Sequence, residues 1–230
     1  MKVLAIDTSN LVMGIAVTDG EKVIGEYITN LKKNHSIRVM PAIHDLLSEL
    51  NISPQSLDRI VVARGPGSYT GVRIGVTIAK TLAWTLKKEL VGVSSLEVLA
   101  QNGKHFEGLV VPLFDARRTQ VYTGLYGKRN GVFQSIEPDQ LILIEDWLEQ
   151  LKERNLPISF FGNDVALHRP VIQEMLGEAA LFGSMADHNP RPSELAILGL
   201  GKKPEEVHTF VPSYLQLAEA EAKWLASKEK

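Results

Sequence analysis

The start of the chain alternates short apolar runs with polar turns. Apolar runs at 3–6 and 15–17 are separated by a polar turn at 7–10, and Asp19-Gly20 separates the second run from a strand-like segment at 22–28. Aspartate followed by glycine is typical of tight turns between antiparallel strands. The pattern therefore predicts a three-stranded antiparallel meander.

Two helical segments follow the meander. From Ser36 to Leu50 the apolar residues recur with the 3.6-residue period of an amphipathic helix, and Pro41 is expected to kink it or to tighten its first turns. A buried-type strand at 60–63 then runs into a glycine-rich loop, and a second helix begins near Thr70. A further strand is predicted at 89–93, because this segment is apolar and strand-sized.

The N-terminal pattern returns in the second half of the chain. A strand at 110–114 ends at Asp115, and turns separate it from strands at 121–126 and 132–133. The order of strand, aspartate at the turn, strand, glycine turn and strand matches the start of the chain. Two lobes built on the same meander predict an α/β protein with mixed sheets.

Breaks in composition divide the chain into three parts. We expect an N-terminal lobe at 1–103, a C-terminal lobe at 104–212, and a C-terminal helix within 213–230 that can pack back on the N-terminal lobe. The helix itself is predicted from about Tyr214 to Ser227.

Composition and charge exclude several classes of protein. The 230 residues carry a formal net charge of −2, whereas a protein that holds RNA by itself usually has a basic excess. The absence of cysteine removes disulfides, thiolate nucleophiles and iron–sulfur ligation. Asp7 interrupts the first apolar run, and no segment approaches the ~20 apolar residues of a membrane span. We therefore expect a cytoplasmic protein without membrane contact.

Two segments are candidates for binding an anion or a nucleotide. The turn Asp7-Thr8-Ser9 offers hydroxyls, backbone N–H groups and a carboxylate that can hold a metal-bound water, but an ordinary Asx or ST turn explains it as well. The glycine-rich loop that runs from Arg64 to Arg73 leads into a helix N-terminus, where anions bind readily. Its glycine spacing fits neither a Walker loop nor a dinucleotide-binding loop. Its candidate contacts are Gly67, Ser68, Tyr69, Thr70 and Arg73.

The helix after this loop carries a stripe of small residues. Gly71, Gly75, Ala79 and Ala83 recur every four residues, and each glycine costs about 1 kcal/mol relative to alanine in a helix. Such a stripe indicates close approach of another backbone. Either the lobe's own sheet or a partner subunit could supply it.

The histidines do not suggest a metal site. His35 and His44 lie nine residues apart, on opposite sides of one helix, and no metal-binding histidine spacing occurs. Asp115 with Arg117 and Arg118 could bind an anion, although a surface turn is the commoner explanation.

Several motifs together resemble one protein family. The strings MKVLAIDTS, RGPGSYTGVRIG, GVSSLE, DARRTQVY and PSYL are similar, in order and spacing, to those of bacterial threonylcarbamoyladenosine biosynthesis proteins of the TsaB (YeaZ) family. The resemblance implies an actin-like/Hsp70-like ATPase (ASKHA) fold of two ribonuclease-H-like lobes. It also implies a non-catalytic partner of the related TsaD subunit, which transfers threonylcarbamoyl to the tRNA adenosine adjacent to the anticodon in cooperation with the ATPase TsaE.

The family resemblance also assigns sites. TsaD-like proteins bind metal through a histidine pair in the first long helix, and only His35 stands near that place here, so no metal and no tightly bound cofactor are expected. ATP or ADP could bind at the subunit junction, and tRNA only through the complex. Pairing with TsaD, or with a second copy, is implied through the first two helices, at His35, Val39, Met40, Ile43, Leu47, Gly71, Val72, Gly75, Val76 and Ala79. Many relatives have arginine where Gln216 stands.

One alternative stays open. The chain could be an independent ATP-dependent enzyme using Asp7 and the glycine-rich loop, or a glycoprotease-like peptidase of the same fold. The sequence places no nucleophile beside a base, which this alternative requires.

Overall fold

The computed structural model describes residues 1–31 and 34–216, which form two five-stranded sheets with helices. The strands are β1 (Lys2–Asp7), β2 (Met13–Asp19), β3 (Lys22–Thr29), β4 (Arg59–Ala63), β5 (Glu89–Val93), β6 (Leu109–Asp115), β7 (Gln120–Arg129), β8 (Val132–Leu143), β9 (Ile158–Phe161) and β10 (Ala180–Phe182). The helices are α1 (His35–Glu49), α2 (Tyr69–Leu86), α3 (Ser95–Ala100), α4 (Ile144–Lys152), α5 (Val165–Leu176) and α6 (Pro192–Leu200).

The two sheets have the same topology. The first has the order β3-β2-β1-β4-β5 and the second β8-β7-β6-β9-β10, so the first strand of each lobe lies at the centre. In both sheets the first three strands are antiparallel and the last two are added in parallel. This duplication confirms the predicted meanders and the two mixed-sheet lobes.

Helices α1 and α2 cover one face of the first sheet. Asn34 caps α1, since its side chain accepts from the Ser36 amide, and Pro41 lies inside that helix. Ser68 caps α2 in the same way through the Gly71 amide. The helix bounds are close to those predicted at Ser36–Leu50 and from Thr70. Their apolar stripes form one core with the sheet residues Leu4, Ile6, Ile15, Ile60 and Val62.

Helix α6 covers the opposite face of the same sheet. Leu195 and Ala196 pack with Val3, Ala5 and other residues of the first sheet. The contact is close, because a Cβ on Gly14 of β2 would lie 3.1 Å from Pro192. This placement departs from the predicted division, which kept 104–212 together in the second lobe. The first lobe is therefore completed by α6, a segment that follows the strands of the second lobe in sequence.

The second sheet is covered by α4 and α5, with Trp147 and Phe160 at the centre of its core. The two lobes meet in a smaller cluster, where α3 of the first lobe contacts Val110, Phe114 and Phe161 of the second. Residues 213–216 are not helical, and the rest of the predicted C-terminal helix, from 217 onward, lies outside the described residues.

Candidate functional site

The two predicted anion-binding segments lie against each other. The Ser68 amide donates to the carbonyl oxygen of Ser9 at 2.7 Å, and the Thr8 hydroxyl donates to the carbonyl oxygen of Gly71, also at 2.7 Å. Gly67, at φ +155°, lies so close to Ser9 that a Cβ would collide with the Ser9 carbonyl oxygen. The sequence-predicted pair of segments is therefore one structural unit at the ends of β1 and β4.

Asp7 is enclosed within this unit. Its Oδ1 accepts from the Ser9 amide at 2.8 Å and from the Ser9 hydroxyl at 2.7 Å, and all three residues of the turn are at most 1% exposed. Burial raises the pKa of the Asp7 carboxyl, and the hydrogen bonds from Ser9 offset part of that rise. Oδ2 is buried without a hydrogen-bond partner in the described residues. The turn is an Asx turn, with its carboxylate facing inward.

His35 lies near Asp7, at the start of α1. Its Nε2 is 3.0 Å from the carbonyl oxygen of Asn10, so the ring nitrogen that donates there is Nε2. Nδ1 is buried and has no partner among the residues described. The charge of a protonated His35 would lower the pKa of Asp7. Since no hydrogen bond joins the two side chains, they do not form an acid–base pair in this structure.

The remaining loop residues lie at the exposed start of α2. The Ser68 hydroxyl accepts from the Gly71 amide at 3.3 Å, which leaves it capping the helix. Tyr69 and Arg73 join on the helix surface, since Arg73 donates to the Tyr69 hydroxyl at 2.8 Å. Thr70 lies exposed beside them. The loop thus divides into an enclosed part and an exposed part.

A segment that the sequence did not connect to this site, residues 211–216, lies over the loop. The Ser213 amide donates to Arg64 at 2.7 Å, and the Tyr214 ring stacks on Tyr69 with centroids 5.0 Å apart. At the other end, the Tyr122 hydroxyl donates to Gln216 Oε1 at 3.2 Å. Since Tyr122 belongs to β7, the segment contacts both lobes. Gln216, noted as a departure from relatives, makes the contact with the second lobe.

Most of the residues predicted at a partner interface are buried inside the first lobe. Val39, Ala79, Val72, Ile43, Val76 and Leu47 are 0–5% exposed, and Gly71 and Gly75 are buried as well. A Cβ on Gly75 would lie 2.6 Å from the Thr8 hydroxyl oxygen. The lobe's own sheet therefore supplies the close approach that the glycine–alanine stripe indicated. These buried side chains do not reach a partner, whereas Met40 is exposed and His35 partly so.

Met40 apart, the exposed apolar residues of α1 and α2 are not those predicted at the interface. Ile37 is 71% exposed and Trp84 is 65% exposed, and Tyr69 and Met40 are also exposed. An open groove of about 420 Å³ lies beside Tyr69, lined by Ser36 of α1 and by residues of α2 that include Ile74 and Ile78. Ile37 lines a different groove, together with Tyr27 of β3. We call Ile37, Met40, Tyr69, Ile74, Ile78 and Trp84 the α1–α2 face. The helical period predicted the buried stripes of α1 and α2. Apolar residues outside those stripes, such as Ile37 and Trp84, were the available indication of an exposed contact surface, and the sequence-based prediction did not use it.

The second lobe has a turn related to that of Asp7. Asp115 ends β6, accepts from the Arg117 amide at 3.2 Å, and has its other oxygen 3.0 Å from His168 Nε2. Asp164 accepts from the Asp115 amide at 3.0 Å, and burial raises the pKa of the Asp164 carboxyl. Arg117 and Arg118, predicted as an anion-binding alternative, are exposed. The backbone of both is left-handed, which costs about 1–2 kcal/mol per residue.

Across residues 1–31 and 34–216, no group of three histidine, aspartate or glutamate side chains is placed to hold a metal ion. In the same part of the chain, no helix has the length and apolar character needed to cross a membrane.

Comparison with known proteins identifies the family. A family model described as TsaD, tRNA N6-adenosine threonylcarbamoyltransferase, matches residues 22–224. The tRNA threonylcarbamoyladenosine biosynthesis protein TsaB of Bacillus subtilis (strain 168) is 58% identical over 229 residues, with 100% of both chains covered. The chain belongs to the TsaB family. TsaB proteins take part in the biosynthesis of threonylcarbamoyladenosine in tRNA, and so the coarse function expected from the motifs is confirmed.

Solved structures agree with the TsaB fold. A Pseudomonas aeruginosa protein described as similar to peptidase YEAZ superposes with a TM-score of 0.78 at 24% identity, covering 94% of this chain and 99% of its own. The ethanolamine utilization protein EutJ from Carboxydothermus hydrogenoformans has a TM-score of 0.50 at 14% identity, covering 86% and 89%. The likeness concerns the fold, which is the predicted ASKHA fold of two ribonuclease-H-like lobes.

Proposed function

We propose that this TsaB-family chain is a non-catalytic subunit required for threonylcarbamoylation of the tRNA adenosine adjacent to the anticodon. It acts by pairing with a catalytic TsaD-like subunit through the α1–α2 face. The observation that carries the proposal is the exposure of large apolar side chains on two adjacent helices, which typically marks a protein–protein contact surface.

The α1–α2 face has the shape that helix pairing requires. Tyr69, Arg73 and Thr77 recur at intervals of about one turn along the exposed side of α2, and Trp84 follows two turns later on the same side. Met40 and Ile37 lie on the exposed side of α1, and the groove beside α2 holds the half-buried Ile74 and Ile78. A partner helix can place its ridge of side chains in such a groove.

The absence of independent catalysis is supported by how the Asp7 turn is used. Its carboxylate accepts from Ser9, the Ser68 amide donates to Ser9, and segment 211–216 covers Gly65, where a Cβ would lie 2.6 Å from the Ser213 carbonyl oxygen. A nucleotide site needs backbone donors that point at the phosphates. Here the backbone amides of Ser9 and Ser68 donate to groups within the loop and the turn, which favours a structural role for the two segments over nucleotide binding.

The proposal includes further partners. A TsaE-like ATPase joins the complex, ATP or ADP binds at the subunit junction rather than tightly to this chain, and tRNA binds through the complex. In the absence of the partner, the α1–α2 face pairs with a second copy of the chain. All of this takes place in the cytoplasm.

Pairing can be tested with charges on exposed positions of the α1–α2 face. Ile37→Asp and Trp84→Asp should remove the dimer with the TsaD-like subunit, and the homodimer, in size-exclusion chromatography with light scattering. Leu167→Asp is the matched control, because Leu167 is 68% exposed on α5 of the second lobe. Dimers that persist in both α1–α2 variants, with circular dichroism unchanged, would contradict the proposed surface.

The competing enzyme hypothesis has a separate test. A peptidase needs a hydroxyl or thiol beside a base, and within the described ranges no hydrogen bond joins a hydroxyl to a histidine ring. Calorimetry of the purified chain with ATP and Mg²⁺ should detect no tight binding. Tight binding with turnover by the isolated chain would favour the independent ATP-dependent enzyme.

A further inference from the structure

The turn between β6 and β7 holds two arginines in a fixed, costly backbone conformation. Arg117, Arg118 and Thr119 have φ angles of +66°, +52° and +59°. Hydrogen bonds hold this left-handed turn, since the Ala116 amide donates to Gln120 and the Gln120 amide donates to Arg117, both at 2.9 Å. The Thr119 carbonyl accepts from the first amide of α4, also at 2.9 Å. The turn is therefore anchored on both sides.

The two guanidinium groups on this turn have no partner among residues 1–31 and 34–216. Both residues are exposed, and within the described part of the chain neither side chain makes a hydrogen bond or ion pair. Four other arginines are paired with glutamate: Arg59 with Glu89, Arg64 with Glu205, Arg154 with Glu137 and Arg191 with Glu26. Arg117 and Arg118 thus present two adjacent positive charges to solvent.

The nearest carboxylate on the same turn is already occupied. Asp115 lies against His168 on one oxygen and accepts the Arg117 amide on the other. Glu145 and Asp146 lie in the first turn of α4, where they favour the helix N-terminus electrostatically, and neither forms an ion pair with the arginines. The guanidinium groups remain available to an anion from outside the chain.

We propose that Arg117 and Arg118 bind phosphate groups of the tRNA backbone when the chain is part of the modification complex. A guanidinium matches phosphate oxygens bidentately, and its planar fork loses less freedom per hydrogen bond than a lysine side chain does. The family's established product is a modified tRNA, so the polyanion that this protein meets is RNA. The contact rests on the proposed pairing with a TsaD-like subunit, because a chain with net charge −2 supplies only a local contact.

The contact is tested on the full-length chain in complex with its TsaD-like partner. Fluorescence anisotropy measures the affinity for an unmodified tRNA transcript at several KCl concentrations. The double variant Arg117→Ala/Arg118→Ala should bind about ten- to thirtyfold more weakly near 0.15 M salt, and the slope of log K against log salt should fall by about 1.4–1.8. The Arg117→Lys/Arg118→Lys variant should keep most of the slope, because the charges remain.

Arg129→Ala is the matched control. Arg129 is an exposed arginine at the other end of β7, about 30 Å away along the strand, so its removal changes net charge without touching the turn. It should leave affinity and slope close to those of the unaltered complex. An equal loss of slope per removed charge in Arg129→Ala and in the double turn variant would overturn the proposal, since it would reflect net charge alone.

Two further experiments test whether Arg117 and Arg118 instead contact a protein or a nucleotide. Light scattering before RNA is added shows whether the turn variant still pairs, and loss of pairing would assign the arginines to a protein contact and overturn the proposal. Titration with ATP and Mg²⁺ tests a nucleotide phosphate as the ligand, and loss of ATP binding with tRNA affinity unchanged would overturn it too. If the unaltered chain fails to pair with the TsaD-like subunit, the proposed function is wrong. The tRNA titrations are then repeated on the chain alone, and an equal salt slope for the unaltered chain and the turn variant would overturn the RNA contact as well.

Discussion

Thr8 and Gly75 meet at a point where no additional atom fits. The Thr8 hydroxyl oxygen lies 2.6 Å from where a Cβ on Gly75 would be, and the same hydroxyl donates to the carbonyl oxygen of Gly71 at 2.7 Å. Both are buried between α2 and the end of β1. The close approach of helix and turn therefore depends on glycine at this position.

Gly75→Ala should destabilise the protein. Alanine gains about 1 kcal/mol of helix propensity, but overpacking against Thr8 costs about 1–3 kcal/mol. Since Thr8 is held by its hydrogen bond to Gly71, we expect a net loss of about 1 kcal/mol, or somewhat more, in the free energy of unfolding. Urea denaturation followed by circular dichroism measures it.

Two companion variants isolate the collision. Thr85→Ala, at an exposed position of α2, should be neutral or slightly stabilising. In a Thr8→Ala background the cost of Gly75→Ala should shrink, because the colliding hydroxyl is gone. An unchanged cost in that background would show that the collision is with another group.

Asp7→Asn should stabilise the protein at neutral and alkaline pH. Burial raises the pKa of the Asp7 carboxyl, so its contribution to stability is fully present below its unfolded-state pKa and is lost as pH rises through the folded value. Asparagine carries no charge to bury and keeps an oxygen for the Ser9 donors. We expect a gain of about 1–3 kcal/mol at pH 8 that shrinks toward acidic pH, measured by denaturation across that range.

The same variant tests the role of Asp7 in tRNA modification. Under the proposed non-catalytic function, a complex reconstituted with Asp7→Asn should still modify tRNA. Abolished modification by a variant that remains folded and paired would mean that the carboxylate takes part in the chemistry.

Tyr126→Phe should destabilise the protein by removing a donor to Asp139, a carboxylate at the contact between the lobes. Asp139 of β8 accepts from the Tyr126 hydroxyl at 2.7 Å and from the Ser94 hydroxyl, which belongs to the first lobe. Burial raises the pKa of the Asp139 carboxyl, and both donors lower it. Removing one donor raises that pKa further, so the loss of stability, about 1–3 kcal/mol, should be larger at pH 8 than at pH 5.

Tyr122→Phe is the comparison for this effect, since the Tyr122 hydroxyl makes a single exposed hydrogen bond to Gln216. It should cost less than 1 kcal/mol at either pH. If Tyr126→Phe shows the same loss at pH 5 and pH 8, the charge on Asp139 is not what Tyr126 stabilises.

Arg59→Ala should release the C-terminal end of α6 from the first lobe. The Arg59 guanidinium donates to the carbonyl oxygens of Gly199 at 2.6 Å and Leu200 at 3.2 Å, as well as to Glu89. Losing these bonds leaves buried acceptors unsatisfied, at a cost of about 1–3 kcal/mol. Relative to the unaltered protein, the Arg59→Ala variant should show a larger increase in the hydrogen-exchange rate of α6 than of α5. Arg154→Ala, which removes an ion pair in the second lobe, should not produce this larger increase in α6.

The sequence predicted elements whose information is local. The meander at 3–28 follows from apolar runs and the Asp19-Gly20 turn, and the predicted start of α2 lies within one residue of its observed start at Tyr69. The small-residue stripe correctly indicated close packing at Gly75. Its neighbour could not be predicted, because Thr8 lies more than sixty residues earlier and a helical period shows which side is apolar, not what covers it.

Other features had no sequence signal. The apolar residues of α6 could pack on either lobe. Leu195 packs on the first sheet because that sheet has an apolar face that α1 and α2 do not cover, and this is seen only in the assembled structure. Arginine and threonine rarely adopt positive φ, so nothing predicted the left-handed turn at Arg117. The exposure of Ile37 and Trp84 likewise appears only when the core is assembled.

The packing of α6 on the first sheet has a consequence for synthesis of the chain on the ribosome. Residues 1–103 emerge first, yet the sheet face formed by Val3, Ala5 and Val61 stays bare until Pro192–Leu200 has been translated. Domains that are continuous in sequence can fold as they emerge. Here the earliest segment must wait for one of the latest, so a nascent chain stalled before residue 192 would present an apolar sheet surface to chaperones.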